Sequence, residues 1–203
     1  SRGAVMLAAK IAGFDVLRLI AEPTAAAYAY GFHKKSEGAY MIYDLGGGTF
    51  DVSILNMEAG IFQVIATGGD NLLGGDDLDH ILAERIAKEL NISLEPSLYL
   101  KAKELKELLS SQNSASLNFG SQKFEITREV FENLISKVIN RTIKTAKDTL
   151  FDADVKLDGI VLVGGSTRIP FIAQNLTKAF GVKVFSDIDP DRAVVIGAAL
   201  QAE

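Results

Sequence analysis

Apolar and polar positions along the chain follow two alternating rhythms, one typical of amphipathic helices and one typical of buried strands. Residues 2–13 predict a helix that ends at Gly13, and the apolar residues 16–20 predict a short strand. A second helix is expected after Pro23, which a first helical turn tolerates, and it stops at Gly31. Helices and strands in alternation indicate a sheet with helices packed on it.

The next apolar runs predict three strands. Residues 39–43 and 51–57 flank a segment with three consecutive glycines, and residues 61–67 pair with the second strand in a hairpin closed by residues 58–60. The polar residues 33–38 predict a turn before the first of these strands. Together these elements are expected to form a mixed sheet.

A second glycine-rich segment, residues 68–77, interrupts this rhythm. After it, amphipathic patterns predict two helices, a hairpin that turns at Gly120 and a long helix, at residues 78–90, 97–109, 115–127 and 128–151. Thr127 is expected to cap the long helix. We therefore predict a sheet-bearing subdomain of residues 1–73 and 132–203, with a small α+β subdomain of residues 74–131 inserted into it.

In the last quarter of the chain, predicted strands and helices alternate again. It predicts a buried strand, a glycine turn, a helix, a strand and a final helix, at residues 159–163, 164–168, 170–180, 182–185 and 191–201. A strand that enters a glycine turn and then a helix leaves free N–H groups and the positive end of the helix dipole at the turn. This turn is therefore a candidate anion site.

The segment Asp44–Asp51 is the strongest candidate for chemistry. A tight glycine turn can bring backbone N–H groups against a ligand where any Cβ would block its approach. Asp44 and Asp51 border the turn, and two carboxylates beside an anion cradle suit a phosphate that arrives with a metal ion. The alternative is a plain hairpin with a flexible glycine turn. Neither G-x-x-x-x-G-K-[ST] nor G-x-G-x-x-G occurs, so these glycines form neither a P-loop nor a Rossmann turn.

Composition narrows the class of protein. The 203 residues are 48% hydrophobic, which predicts a globular chain, and the net charge of −5 argues against nucleic acid or an anionic membrane as a partner. No cysteine occurs, which excludes disulfides and thiolate metal sites. No apolar run resembles a transmembrane segment or a signal peptide, so we expect a cytoplasmic protein. Because a helical pattern begins at once without an initiating Met, we also expect a piece of a longer protein.

Three segments together resemble one family. They are Asp44–Asp51 with its glycines, Glu22–Ala27, and the Gly164–Pro170 turn. They resemble the nucleotide-binding domain of the seventy-kilodalton heat-shock chaperones, and residues 74–79 and 190–199 match it too. The resemblance covers the whole chain and implies lobe II of an actin-like, ribonuclease H-like α/β ATPase.

The resemblance implies roles around the phosphates of ATP or ADP. Asp44 would order water bound to Mg²⁺ and a K⁺ ion, while Asp51 assists and Glu22 positions or polarises the attacking water. The β- and γ-phosphates would be held or bordered by Gly46, Gly47, Gly48, Thr49, Gly74 and Gly75. Gly74 and Gly75 would also hinge the small subdomain.

The resemblance also implies an adenosine pocket. Lys106 and Ser110 would reach the ribose and the purine, and Asp191 would close the pocket. The other purine face would be lined by Gly164, Gly165, Ser166, Arg168 and Ile169, with the guanidinium of Arg168 stacked on the ring.

Two positions depart from the common family pattern. Lys103 stands where a Glu contacts the ribose, and Glu107 stands where a second cation faces the purine. Neither role is carried over, and we expect weaker or altered nucleotide affinity. The short insert and residues 68–80 look closest to the branch that serves iron–sulfur cluster assembly. The implied partners are a J-domain co-chaperone, a nucleotide exchange factor, an iron–sulfur scaffold protein, and a client peptide held by a domain absent here.

The histidines and the acidic residues after Gly75 are candidate metal ligands. His33 and His80 lie too far apart for metal-ligand spacing. An EF-hand loop that starts at Asp76 would need a Glu where Ala87 stands, so acids at a helix N-terminus are the simpler account. Two alternatives remain: a non-catalytic docking lobe for co-chaperones or exchange factors, and another member of the actin-like superfamily, such as a sugar kinase or a filament protein.

Overall fold

The computed structural model describes residues 2–32 and 37–202. The strands in this part of the chain are β1 (Glu37–Leu45), β2 (Phe50–Glu58), β3 (Ile61–Asp70), β4 (Ser114–Phe119), β5 (Gln122–Thr127), β6 (Gly159–Val163) and β7 (Lys183–Phe185). Five of them form a mixed sheet in the order β3-β2-β1-β6-β7, while β4 and β5 form a separate hairpin. Strands β1, β2 and β3 are antiparallel, and β6 and β7 continue parallel to β1.

The helices in the described residues are α1 (Arg2–Ile11), α2 (Glu22–Ala29), α3 (Gly75–Leu90), α4 (Pro96–Ser111), α5 (Arg128–Ala153), α6 (Pro170–Phe180) and α7 (Ala193–Ala202). A short 3-10 helix, Gly165–Arg168, occupies the second glycine turn. The predicted α/β class, the glycine stops and the cap of the long helix are confirmed. The Thr127 hydroxyl accepts from the Val130 N–H at 3.3 Å.

Two predictions were wrong in detail. Residues 16–20 form no strand; Leu17 is 72% exposed, and no strand among the described residues lies beside this run to supply backbone partners. Helix α3 begins at Gly75 rather than at residue 78, because the Asp77 carboxylate accepts the Gly74 N–H at 2.7 Å and so caps the earlier turn. The predicted turn at residues 33–38 falls largely on 33–36, which lie outside the described residues.

Alternate residues of β1 point to opposite faces of the sheet, and a hydrophobic core covers each face at this strand. Met41 and Tyr43 belong to a large core with α3, α4, α5 and α6, while Tyr40 and Ile42 belong to a smaller one with α2 and α7. The large core continues without a break to Phe124 of the β4–β5 hairpin. The division into two subdomains therefore stays a prediction.

Candidate functional site

The loop between β1 and β2 carries exposed backbone donors. Asp44 pairs directly with Asp51 across the two strands, and the Gly46 N–H donates to the Thr49 carbonyl at 3.0 Å to close the loop. Gly47, Gly48 and Thr49 are exposed. Within residues 2–32 and 37–202, their N–H groups donate to no protein acceptor. The loop therefore presents three free N–H groups to solvent.

Neither the fold nor the packing requires glycine at positions 47 and 48. Their φ angles are not in the left-handed region, and an added Cβ would come no nearer than 3.6 Å and 3.9 Å to its nearest neighbour, the Asp76 carboxylate. Gly74 is different, because its Cβ would lie 2.6 Å from the carbonyl carbon of Gly47. Open space in front of free N–H groups is the geometry of an anion cradle.

Three carboxylates come together beside the loop. The pKa of Asp44 is raised to about 6, chiefly by burial and also by the nearby negative charges of Glu22 and Asp51. Such mutual repulsion is relieved by a cation. In the described part of the chain, no three His, Cys, Asp or Glu side chains are placed to hold a metal ion directly.

The loop is joined to two distant segments through one carbonyl. The Gly46 carbonyl accepts from the Gly75 N–H and from the Ser166 hydroxyl, each at 2.9 Å, and the Asp76 N–H donates to the Gly47 carbonyl at 2.7 Å. At Gly164, where φ is +84°, a Cβ would lie 2.6 Å from Asp44 Oδ1. The start of α3 and the second glycine turn thus meet at the first glycine loop, although they are far apart in sequence.

A cavity of about 490 Å³ opens from the loop between α3, α4 and the 3-10 helix. It is lined by eight of the residues that the sequence assigned to nucleotide binding: Gly47, Lys106, Ser110, Gly165, Ser166, Arg168, Ile169 and Asp191. Gly46, Gly48, Thr49, Gly74, Gly75, Gly164, Glu22, Asp44 and Asp51 lie outside its lining. The predicted residues therefore divide into a loop group and a cavity group, which meet at Gly47.

Arg168 stands at the mouth of this cavity between two carboxylates. Its guanidinium forms ion pairs with Asp189 and, at 2.9 Å, with Asp191 Oδ2. The hydrogen bond to Asp191 and the charge of Asp189 raise the pKa of Arg168. Sequence reasoning included Asp191 but missed Asp189, because only the fold brings residue 189 to residue 168. The two carboxylates fix the plane of the guanidinium, as stacking on a ring requires.

Lys106 lies in the cavity wall with its ammonium already paired. Its Nζ is 2.8 Å from Asp79 Oδ1 and donates to the Gly75 carbonyl at 3.0 Å. The Ser110 hydroxyl donates to the Lys106 carbonyl at 3.2 Å. Asp79 was not singled out for a site role from the sequence, because an acid near a helix N-terminus reads as a solvated residue. The position of Asp79 among the buried, mostly apolar residues of α3 is the feature from which its role could have been predicted.

Lys103 and Glu107, which replace the residues common in the resembled family, are exposed and line the same cavity. His80 lies on the exposed face of α3 and contacts Glu84 at 3.2 Å, while His33 lies outside the described residues. In the described residues, no helix is long and apolar enough to span a membrane.

Comparisons with known proteins agree with one another. The model of the Hsp70 protein family matches residues 1–203. The chain is 53% identical to proteins named chaperone protein HscA homolog from Rickettsia conorii and Rickettsia prowazekii, and 54% identical to that from Rickettsia bellii. Each match covers 100% of this chain and 34% of the relative. The chain thus spans about a third of the length of these relatives.

Proposed function

The chain belongs to the Hsp70 family, and on that premise we propose that it forms lobe II of the ATP-binding and ATP-hydrolysing domain of a chaperone. Members of this family are ATPases that use ATP, ADP and Mg²⁺, and their fold is the actin-like α/β fold expected from the sequence. Family membership removes the sugar-kinase alternative.

The observation that carries the proposal is the open cradle at Gly47 and Gly48. Neither backbone conformation nor packing explains glycine at these positions, whereas a phosphate that must approach free N–H groups does. The N–H groups of Gly47, Gly48 and Thr49 would hold the phosphates. The connected cavity would then receive the nucleoside, with Lys106 and Ser110 on one side and Arg168 on the other.

The chain's own acids would serve the hydrolytic step. Bound Mg²⁺ would offset the negative charge of the phosphates. Asp44, whose pKa burial raises to about 6, would hold metal-bound water and be returned to its ionised form by the cation. The negative charges of Asp51 and Glu22 act on Asp44 as well. Glu22, in the first turn of α2, would orient the attacking water. A K⁺ ion beside Asp44 belongs to the same proposal.

The likeness to HscA homologues supports a role in iron–sulfur cluster assembly. In that role the whole protein would work with a J-domain co-chaperone, with a nucleotide exchange factor and with an iron–sulfur scaffold protein. Client peptide would be held by another domain. We place the protein in the cytoplasm. Lys103 and Glu107 on the cavity rim support altered nucleotide affinity relative to the common pattern.

We propose that hydrolysis needs a second lobe. Val5, Leu7, Phe14 and Leu17 are each more than half exposed, and α7 adds Val195 at 61%. Apolar surface of this extent marks an interface. A first lobe seated there would supply the other half of the charge around the phosphates, so these 203 residues alone should hydrolyse ATP negligibly.

A non-catalytic docking lobe is the second candidate, and one observation favours it. The cations on the cavity wall already have protein partners, Lys106 with Asp79 and Arg168 with Asp189 and Asp191. Calorimetry with ADP and Mg²⁺ on the complete protein separates the two. Nucleotide binding predicts heat that falls when Arg168 is changed to Ala, whereas a docking lobe predicts no heat in either form.

A further inference from the structure

A single buried ion pair joins α3 to α4. In residues 2–32 and 37–202, Asp79 and Lys106 are the only charged residues that are buried, with side chains 8% and 9% exposed. Replacing a buried ion pair by apolar residues is often neutral or stabilising, so such a pair is weak evidence of a contribution to stability. The pair lies in the wall of the cavity, where an oriented charge is useful.

The ammonium of Lys106 has one donor left over. An ammonium carries three N–H groups, and this Nζ donates one hydrogen bond to the Gly75 carbonyl at 3.0 Å and forms an ion pair with Asp79 Oδ1 at 2.8 Å. In residues 2–32 and 37–202 this ammonium makes no further hydrogen bond, and Lys106 lines the cavity. A flexible lysine held by two acceptors at fixed positions has lost most of its freedom before a ligand arrives, which lowers the entropic cost of binding.

The pair is also connected to the glycine loop. Gly75 accepts from Lys106 through its carbonyl and donates its N–H to the Gly46 carbonyl at 2.9 Å. Any displacement of the Lys106 ammonium therefore acts on the backbone that supports the phosphate cradle. Asp79 holds this connection from the far side.

We propose that Asp79 is a positioning residue for nucleotide binding, which holds the ammonium of Lys106 at the cavity wall so that its third N–H meets an acceptor oxygen of the nucleoside. The inference rests on the proposed function. Asp79 acts through Lys106 and does not touch the ligand.

The test is ADP binding by the complete protein, measured by calorimetry. It compares wild type with Asp79→Asn, which removes the charge, and with Asp79→Glu, which keeps a carboxylate. Asp79→Asn should bind ADP about tenfold more weakly than wild type. Asp79→Glu should recover part of that loss.

Glu84→Gln is the matched control, since it removes one negative charge from an exposed face of the same helix. It should bind ADP as wild type does. Equal ADP affinity in wild type and Asp79→Asn, even with a lower melting temperature for the variant, overturns the inference, and so does a loss that Asp79→Glu leaves unchanged.

A double variant covers the case in which Asp79→Asn alone fails to fold. Asp79→Asn with Lys106→Met leaves no unpaired charge in the wall and should fold. If Asp79 acts through Lys106, this double variant and Lys106→Met bind ADP equally weakly. A further loss in the double variant would mean that Asp79 contacts the ligand itself and would overturn the inference. Absence of binding by wild type would instead overturn the proposed function.

Discussion

The hydroxyl of Ser166 donates a hydrogen bond to the carbonyl oxygen of Gly46, 120 residues earlier in the chain, at 2.9 Å. This contact fixes the second glycine turn against the first. The same carbonyl accepts from the Gly75 N–H, so one oxygen ties together three segments of the candidate site. A ligand that displaces one of these segments should therefore displace the other two.

Ser166→Ala should loosen this junction without dissolving it, because Gly46 keeps its bond to Gly75. We expect a loss of about 1 kcal/mol in the free energy of unfolding, the usual value for one hydrogen bond, and faster exchange of the hydrogen-bonded amides of Gly46 and Gly75. Chemical denaturation and hydrogen exchange measure the two effects. Ser111→Ala, which removes an exposed hydroxyl bonded within α4, should change neither. Equal exchange in both variants would contradict the account.

Gly74→Ala should be strongly destabilising. Its Cβ would overlap the backbone of Gly47 and Gly48, 2.6 Å and 2.7 Å from their carbonyl carbons, and backbone cannot move aside as a side chain can. The expected loss is about 2 kcal/mol or more in the free energy of unfolding. Gly3→Ala is the comparison, since nothing lies within 4 Å of the added carbon and helix α1 gains a better helix former. Similar stability for the two variants would show that the loop and α3 do not pack as described.

Asp44→Asn should make the folded protein more stable at neutral pH while abolishing ATP hydrolysis by the complete protein. The folded-state pKa of Asp44, about 6, lies above that of an unfolded Asp. Folding therefore favours the protonated form, and stability falls as the pH rises from the unfolded pKa through about 6. Asn does not titrate, so the variant should gain about 1–2 kcal/mol at pH 7 and nothing near pH 4. Denaturation at both pH values measures the difference. A destabilised variant at pH 7 would contradict the pKa argument.

Local patterns predicted most of the fold because helical and strand periodicities are properties of neighbouring residues. Residues 16–20 show the limit: their apolar pattern suits a strand, but a strand also needs a hydrogen-bonding neighbour, which no local pattern supplies. The glycine loops were recognisable for the same reason that they matter, since few residue types fit a close backbone approach.

The ion pairs of the site could not be predicted from the sequence. Asp79 meets Lys106 from another helix, and Asp189 reaches Arg168 across a strand and a helix. Such pairings depend on how elements pack rather than on any one element. The sequence named both cations and Asp191, and missed the partner carboxylates Asp79 and Asp189.

The most direct test of the central claim uses the two glycines that the protein itself does not need. Gly47→Ala and Gly48→Ala each add a methyl group that comes no nearer than ordinary contact distance, 3.6 Å and 3.9 Å, to the Asp76 carboxylate, so stability should be unchanged or rise by up to about 1 kcal/mol. In the complete protein, the same methyl group should obstruct phosphate and weaken ADP binding by about tenfold to a hundredfold in calorimetry. Wild-type affinity in both variants would contradict a phosphate cradle at this loop.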